Sequence, residues 1–102
     1  MKEMTEQEVR EILQNQQSCA LLLYTPFCGT CKVAERMLVI VEQLIPELPQ
    51  YKLNLNLAPA FAGQWQIASV PCVLRIEQGE IREKLYAVRS VEHLYQFLKT
   101  VS

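Results

Sequence analysis

The chain has 102 residues, enough for one domain built on one hydrophobic core, and we expect a single domain over 1–102. Half of the residues are hydrophobic, 21% are charged and the net charge is -1, which excludes a disordered chain and gives no basic surface for nucleic acid or an anionic membrane. No apolar run approaches the roughly 20 residues needed to cross a bilayer. Met1 to Gln17 is rich in charge and glutamine and lacks the apolar centre of a signal peptide, so a cytoplasmic setting is expected. In that reducing environment four cysteines are expected to be reactive or buried rather than a disulfide framework.

Thr5-Glu6-Gln7-Glu8 has the form of a capping box, and Val9, Ile12 and Leu13 recur at helical spacing, which predicts an amphipathic helix from Glu6 to about Gln16. Cys19 to Thr25 is a short, almost continuously apolar run closed by Pro26, the pattern of a buried central strand. A long helix is predicted from Cys31, with Val33, Met37, Leu38, Ile40, Val41, Leu44 and Ile45 on its inner face and an end marked by Pro46 and Pro49. Tyr51 to Leu57 alternates apolar and polar residues, as a strand does. Pro59 opens a short helix through Trp65. Val70 to Glu77 and Glu80 to Val88 read as two strands joined at Gln78-Gly79, and Ser90 as the N-cap of a last helix that turns Val91, Leu94, Tyr95, Leu98 and Val101 inward. Strand, helix, strand and then a hairpin predict an α/β fold, a mixed sheet of about four strands with helices on both faces.

The chemistry concentrates at Phe27-Cys28-Gly29-Thr30-Cys31-Lys32, where a strand hands over to a helix. Unpaired N–H groups and the dipole at a helix start favour negative charge, and the thiolate is the reactive form of cysteine. Spacing of this kind lets one helical turn bring two sulfurs within disulfide reach, with Cys28 exposed at the turn and Cys31 inside the helix. A zinc or iron–sulfur site needs further ligands at matching distance. Cys19 and Cys72 stand singly and His93 is remote, so a metal site formed by bridging two chains remains only as an alternative.

Taken together, Cys28-Gly29-Thr30-Cys31-Lys32 after a buried strand, Lys52-Leu53-Asn54 in the next strand, Ile67-Ala68-Ser69-Val70-Pro71 before the hairpin, the Gly79 turn and the closing helix resemble the thioredoxin family over nearly the whole chain. The resemblance implies a thioredoxin fold and a protein-disulfide reductase without a bound cofactor. Its substrates would be disulfide-containing proteins, and its electron donor a thioredoxin reductase or similar protein. Cys28 would attack and Cys31 resolve. Phe27, Gly29, Thr30, Val70 and Pro71 would meet substrate, with the Val70–Pro71 bond cis and the Val70 backbone pairing with an extended substrate segment.

This chain departs from the family pattern at several positions. Leu22 stands where a buried aspartate is usual, Phe27 where a tryptophan is, Thr30 where a proline is and Arg36 where a kinking proline is. The glycine expected after the last strand is replaced within Tyr86-Ala87-Val88, and the N-terminal edge strand is expected to be reduced or absent. Without a carboxylate at Leu22, Lys52 is expected to extend its head to solvent, and Glu35 to pair with Lys32. Glu35, Lys52 and Cys72 are candidate modulators of the thiols. A non-catalytic binding module built on the same fold is the main alternative to an enzyme.

Overall fold

Thr5 starts the first helix as its capping box requires: its side chain accepts from Glu8 N at 3.1 Å and its own N–H donates to the Glu8 carboxylate at 2.9 Å. The computed structural model describes residues 1–99. Along the chain these are β1 (Lys2–Glu3), α1 (Glu6–Gln14), β2 (Cys19–Tyr24), α2 (Gly29–Leu44), β3 (Gln50–Asn54), a 3-10 turn at Leu55–Leu57, α3 (Pro59–Gln64), β4 (Cys72–Glu77), β5 (Glu80–Leu85) and α4 (Val91–Leu98). The sheet order is β1-β3-β2-β4-β5, with β2 central, parallel to β3 and antiparallel to β4. The thioredoxin fold is thus present, with five strands, the first cut to two residues that pair with Tyr51 and Lys52.

Alternation along β2 divides the core. Cys19, Leu21 and Leu23 join Val9, Ile12 and Phe61 on the face covered by α1 and α3. Ala20 and Leu22 join Ala34, Leu38, Val41, Leu94 and Leu98 under α2 and α4. Both faces of β2 are buried, which is why its sequence is a continuous apolar run rather than an alternating one. At the far end, Gln78 (φ 51°) and Gly79 (φ 81°) make the two-residue hairpin turn, and Gly79 N donates to Gln17 O at 2.9 Å. The outer strand β5 is largely charged. Arg82 pairs with Glu80 at 3.0 Å, and Glu83 meets Arg75 of β4 at 3.4 Å.

Several boundaries differ from expectation. The third strand stops at Asn54, not Leu57, because the Asn54 side chain accepts from Asn56 N at 3.0 Å and starts the 3-10 turn. Helix α1 ends at Gln14, β4 begins at Cys72 and β5 ends at Leu85, while Val101 lies outside the described residues. The inner face of α2 is Cys31, Ala34, Leu38, Val41 and Ile45, whereas Val33, Ile40 and Leu44 are exposed. The buried Ala34 faces the sheet beside Leu38 and Val41, and the bulkier Val33, Ile40 and Leu44 face outward. Gln50 fills part of that interface. With its nitrogen facing the carbonyl, its buried amide donates to Leu38 O at 2.8 Å and accepts from Glu42 N at 3.2 Å.

Candidate active site

Helix α2 begins two residues earlier than expected, at Gly29, and makes Cys28 its N-cap. The two cysteines are disulfide-bonded with their Cα atoms 5.2 Å apart. The Cys31 N–H donates to Cys28 Sγ at 3.2 Å, and the Thr30 hydroxyl lies 3.4 Å from the same sulfur. In the reduced state these donors and the positive end of the helix favour a Cys28 thiolate. Cys28 is half-buried and Cys31 is only 2% exposed. Phe27, immediately before them, is 100% exposed.

The Val70–Pro71 peptide bond is cis, as the resemblance implies. It separates two shallow grooves. One, of ≈ 310 Å³, is lined by Thr30, Val33, Pro71, Tyr86, Ala87 and Val88. The other, of ≈ 400 Å³, includes Thr25, Leu55, Pro59, Ile67, Ser69 and Val70. Thr30 and Pro71 therefore face one hollow, Val70 lines the next, and the exposed Phe27 and Gly29 stand beside Cys28. The structure brings the helix start and the loop before β4 together, although they are distant in sequence.

The charged residues arrange themselves differently from expectation. Glu35 pairs with Lys52 of β3, not with Lys32: Lys52 Nζ lies 3.2 and 3.0 Å from its two carboxylate oxygens. The Lys52 head is therefore anchored rather than free in solvent, and it also sits 5.4 Å from the centre of the Tyr24 ring. Burial, reinforced by a hydrogen bond to Glu3, pushes the Tyr24 hydroxyl up to about 12. Sequence reasoning assigned no role to Tyr24, which its place at the strand end facing α2 would have suggested.

Cys19 and Cys72 are free and buried. Burial pushes the Cys19 thiol up to about 12 and the Cys72 thiol up to about 11, the latter against the opposing influence of Lys84 and of a hydrogen bond with Tyr86. Both therefore stay protonated at neutral pH. Iodoacetamide titration of the reduced protein should label Cys28 first, Cys31 more slowly, and Cys19 and Cys72 only after unfolding. Peptide mapping of the labelled sites checks this order, and equal rates at Cys28 and Cys31 would contradict it.

A cysteine pair that closes a disulfide at a helix N-terminus, beside a cis proline on this sheet, has the makeup of a thiol–disulfide oxidoreductase. The thioredoxin family model matches residues 1–100, and the chain belongs to the thioredoxin family. It is 43% identical to the thioredoxin-like protein YusE of Bacillus subtilis over 102 residues, all of this chain and 94% of that one. Its fold is that of Plasmodium falciparum thioredoxin, with a TM-score of 0.87 at 14% identity and all of both chains covered. Mitochondrial thioredoxin 3 of Saccharomyces cerevisiae superposes with a TM-score of 0.85 at 18% identity, covering 99% of this chain and 95% of that one.

Proposed function

We propose that the whole chain acts as one cytoplasmic domain that reduces disulfides in other proteins through a Cys28/Cys31 cycle. One observation carries the reading: the accessible sulfur caps a helix start, its partner is buried one turn inward, and the cis Val70–Pro71 bond lies between grooves beside them. The Cys28 thiolate attacks a substrate disulfide, breaking its S–S bond and forming a mixed disulfide while one substrate thiolate leaves. Cys31 then attacks Cys28 Sγ, restores the internal disulfide and releases the second substrate thiol. A thioredoxin reductase or similar dithiol donor returns two electrons and two protons to the pair. Phe27, Gly29, Thr30 and the Val70 backbone would hold the extended substrate segment, and Cys72 would remain a buried, inert thiol.

Turbidimetric insulin reduction tests this. The wild type should accelerate the reaction with dithiothreitol as donor, and Cys28→Ser should fall to the rate of dithiothreitol alone. Cys31→Ser should accumulate a mixed disulfide that a reductant removes. Undiminished activity in Cys28→Ser would refute the cycle. A wild type that binds peptide at the Val70–Pro71 groove without reducing insulin would establish the binding-module alternative.

A further inference from the structure

Resolution requires Cys31 as a thiolate, and burial disfavours that form. A proton acceptor must reach a sulfur that is 2% exposed. On β2, the position where the family resemblance implies an aspartate holds Leu22, fully buried in the cluster of Ala34 and Leu38. A carboxylate approaches from another side. Cys31 and Glu35 are four residues apart on α2, so their side chains are neighbours on one helical face. Both line a cavity of ≈ 170 Å³ whose other walls include Tyr24, Thr25, Lys32 and Lys52. The cavity has room for the water that a proton relay needs, with Glu35, Lys52 and Thr25 as its polar partners.

Glu35 is not left as a loose surface side chain. Lys52 reaches across from β3 to both carboxylate oxygens, and the Tyr24 ring backs the ammonium. Lys32 and Arg36 flank Glu35 on its own helix, and Glu3 of β1 bonds to the Tyr24 hydroxyl behind Lys52. Among the described residues these are the charged and titratable groups that these contacts place around the cavity.

We propose that Glu35, positioned by Lys52, accepts the Cys31 proton when the mixed disulfide is resolved. The inference rests on the oxidoreductase reading above. The Cys31 S–H proton passes to the Glu35 carboxylate, directly or through one water. The resulting thiolate attacks Cys28 Sγ, the Cys28–Cys31 bond forms, and the bond from Cys28 to the substrate sulfur breaks. The departing substrate thiolate takes up a proton from Glu35 or from solvent, so charge and electrons balance without another reagent. The acceptor thus stands on the helix that bears the thiols, whereas the family pattern places it on the preceding strand.

Stopped-flow reaction of the reduced protein with equimolar dithiobis-nitrobenzoate separates the two steps. The first nitrothiobenzoate is released when Cys28 attacks, the second when Cys31 resolves. Glu35→Gln should slow the second phase by about 10²-fold at neutral pH, with a far smaller change in the first. The deficit should close as pH rises and hydroxide takes the proton instead. Glu35→Asp should recover part of the rate, and Lys52→Met should displace the pH profile of the second phase. A second phase in Glu35→Gln as fast as in wild type, or slowed by one constant factor at every pH, would overturn the proposal. Absence of the first phase in the wild type would overturn the oxidoreductase reading and this inference with it.

Discussion

Leu22→Asp should destabilise the protein by about 4–6 kcal/mol at neutral pH rather than speed its chemistry. Leu22 is fully buried among Ala20, Ala34, Leu38 and Val73, and its one charged neighbour in the sheet register, Lys52 of β3, is already paired with Glu35. Removing a buried leucine alone costs about 2–5 kcal/mol. The aspartate adds a desolvation term that drives its folded-state pKa upward. The sign of the pH dependence follows: the unfolded carboxyl ionises near about 4, while the folded one resists. The penalty is therefore smallest below about pH 4 and grows by about 1.4 kcal/mol per unit as pH rises, until the folded carboxyl ionises too. Urea unfolding of wild type and variant, both oxidised, at acid and neutral pH measures it. A variant as stable as wild type at neutral pH that also resolves mixed disulfides faster would show that the core accepts a carboxylate there. It would also remove the reason for Glu35 to serve.

Gly79→Ala should cost about 2–4 kcal/mol, corresponding to a fall in Tm of roughly 10–20 °C. Its φ of +81° disfavours any side chain, and an added Cβ would collide with Leu13 O and approach Gln16 Cα to 2.9 Å. Those obstacles are backbone, so no rotamer relieves them. The Gly79 N–H bond to Gln17 O ties the hairpin to the end of α1, and the substitution should loosen both together. Calorimetry of the oxidised protein checks the size of the effect. An unchanged Tm would mean that the hairpin can withdraw from α1 without loss.

The features legible in the sequence were those whose cause is local. The Thr5 capping box, the Gln78-Gly79 turn, the Ser90 cap and the buried run of β2 each follow from a few adjacent residues. The two cysteines were legible for the same reason, since the helix start that joins them spans a single turn. The illegible parts depend on what lies opposite. The inner face of α2 was misjudged because Ala34, buried there, carries little hydrophobic signal, while the exposed Val33, Ile40 and Leu44 carry much. The Glu35–Lys52 pair joins residues 17 positions apart on different elements, while the nearby Lys32 offered a simpler partner. Asn54 sits in an alternating run whose period continues past the strand, and only its side-chain bond to Asn56 shows where the strand stops.

The charged outer strand β5 also bears on how the molecule meets extended chains. A sheet border is a row of unsatisfied amides and carbonyls, open to any passing strand. Here one border is the two-residue β1, too short to template a neighbour, and the other carries Glu80, Arg82, Glu83 and Lys84. If it acts on partly unfolded, disulfide-bearing chains as proposed, the protein is thereby guarded against being zipped into them. On the proposed reading, backbone pairing with foreign chain is confined to the few atoms around Val70, next to the reacting sulfurs, so a client is held only where it can be reduced and let go.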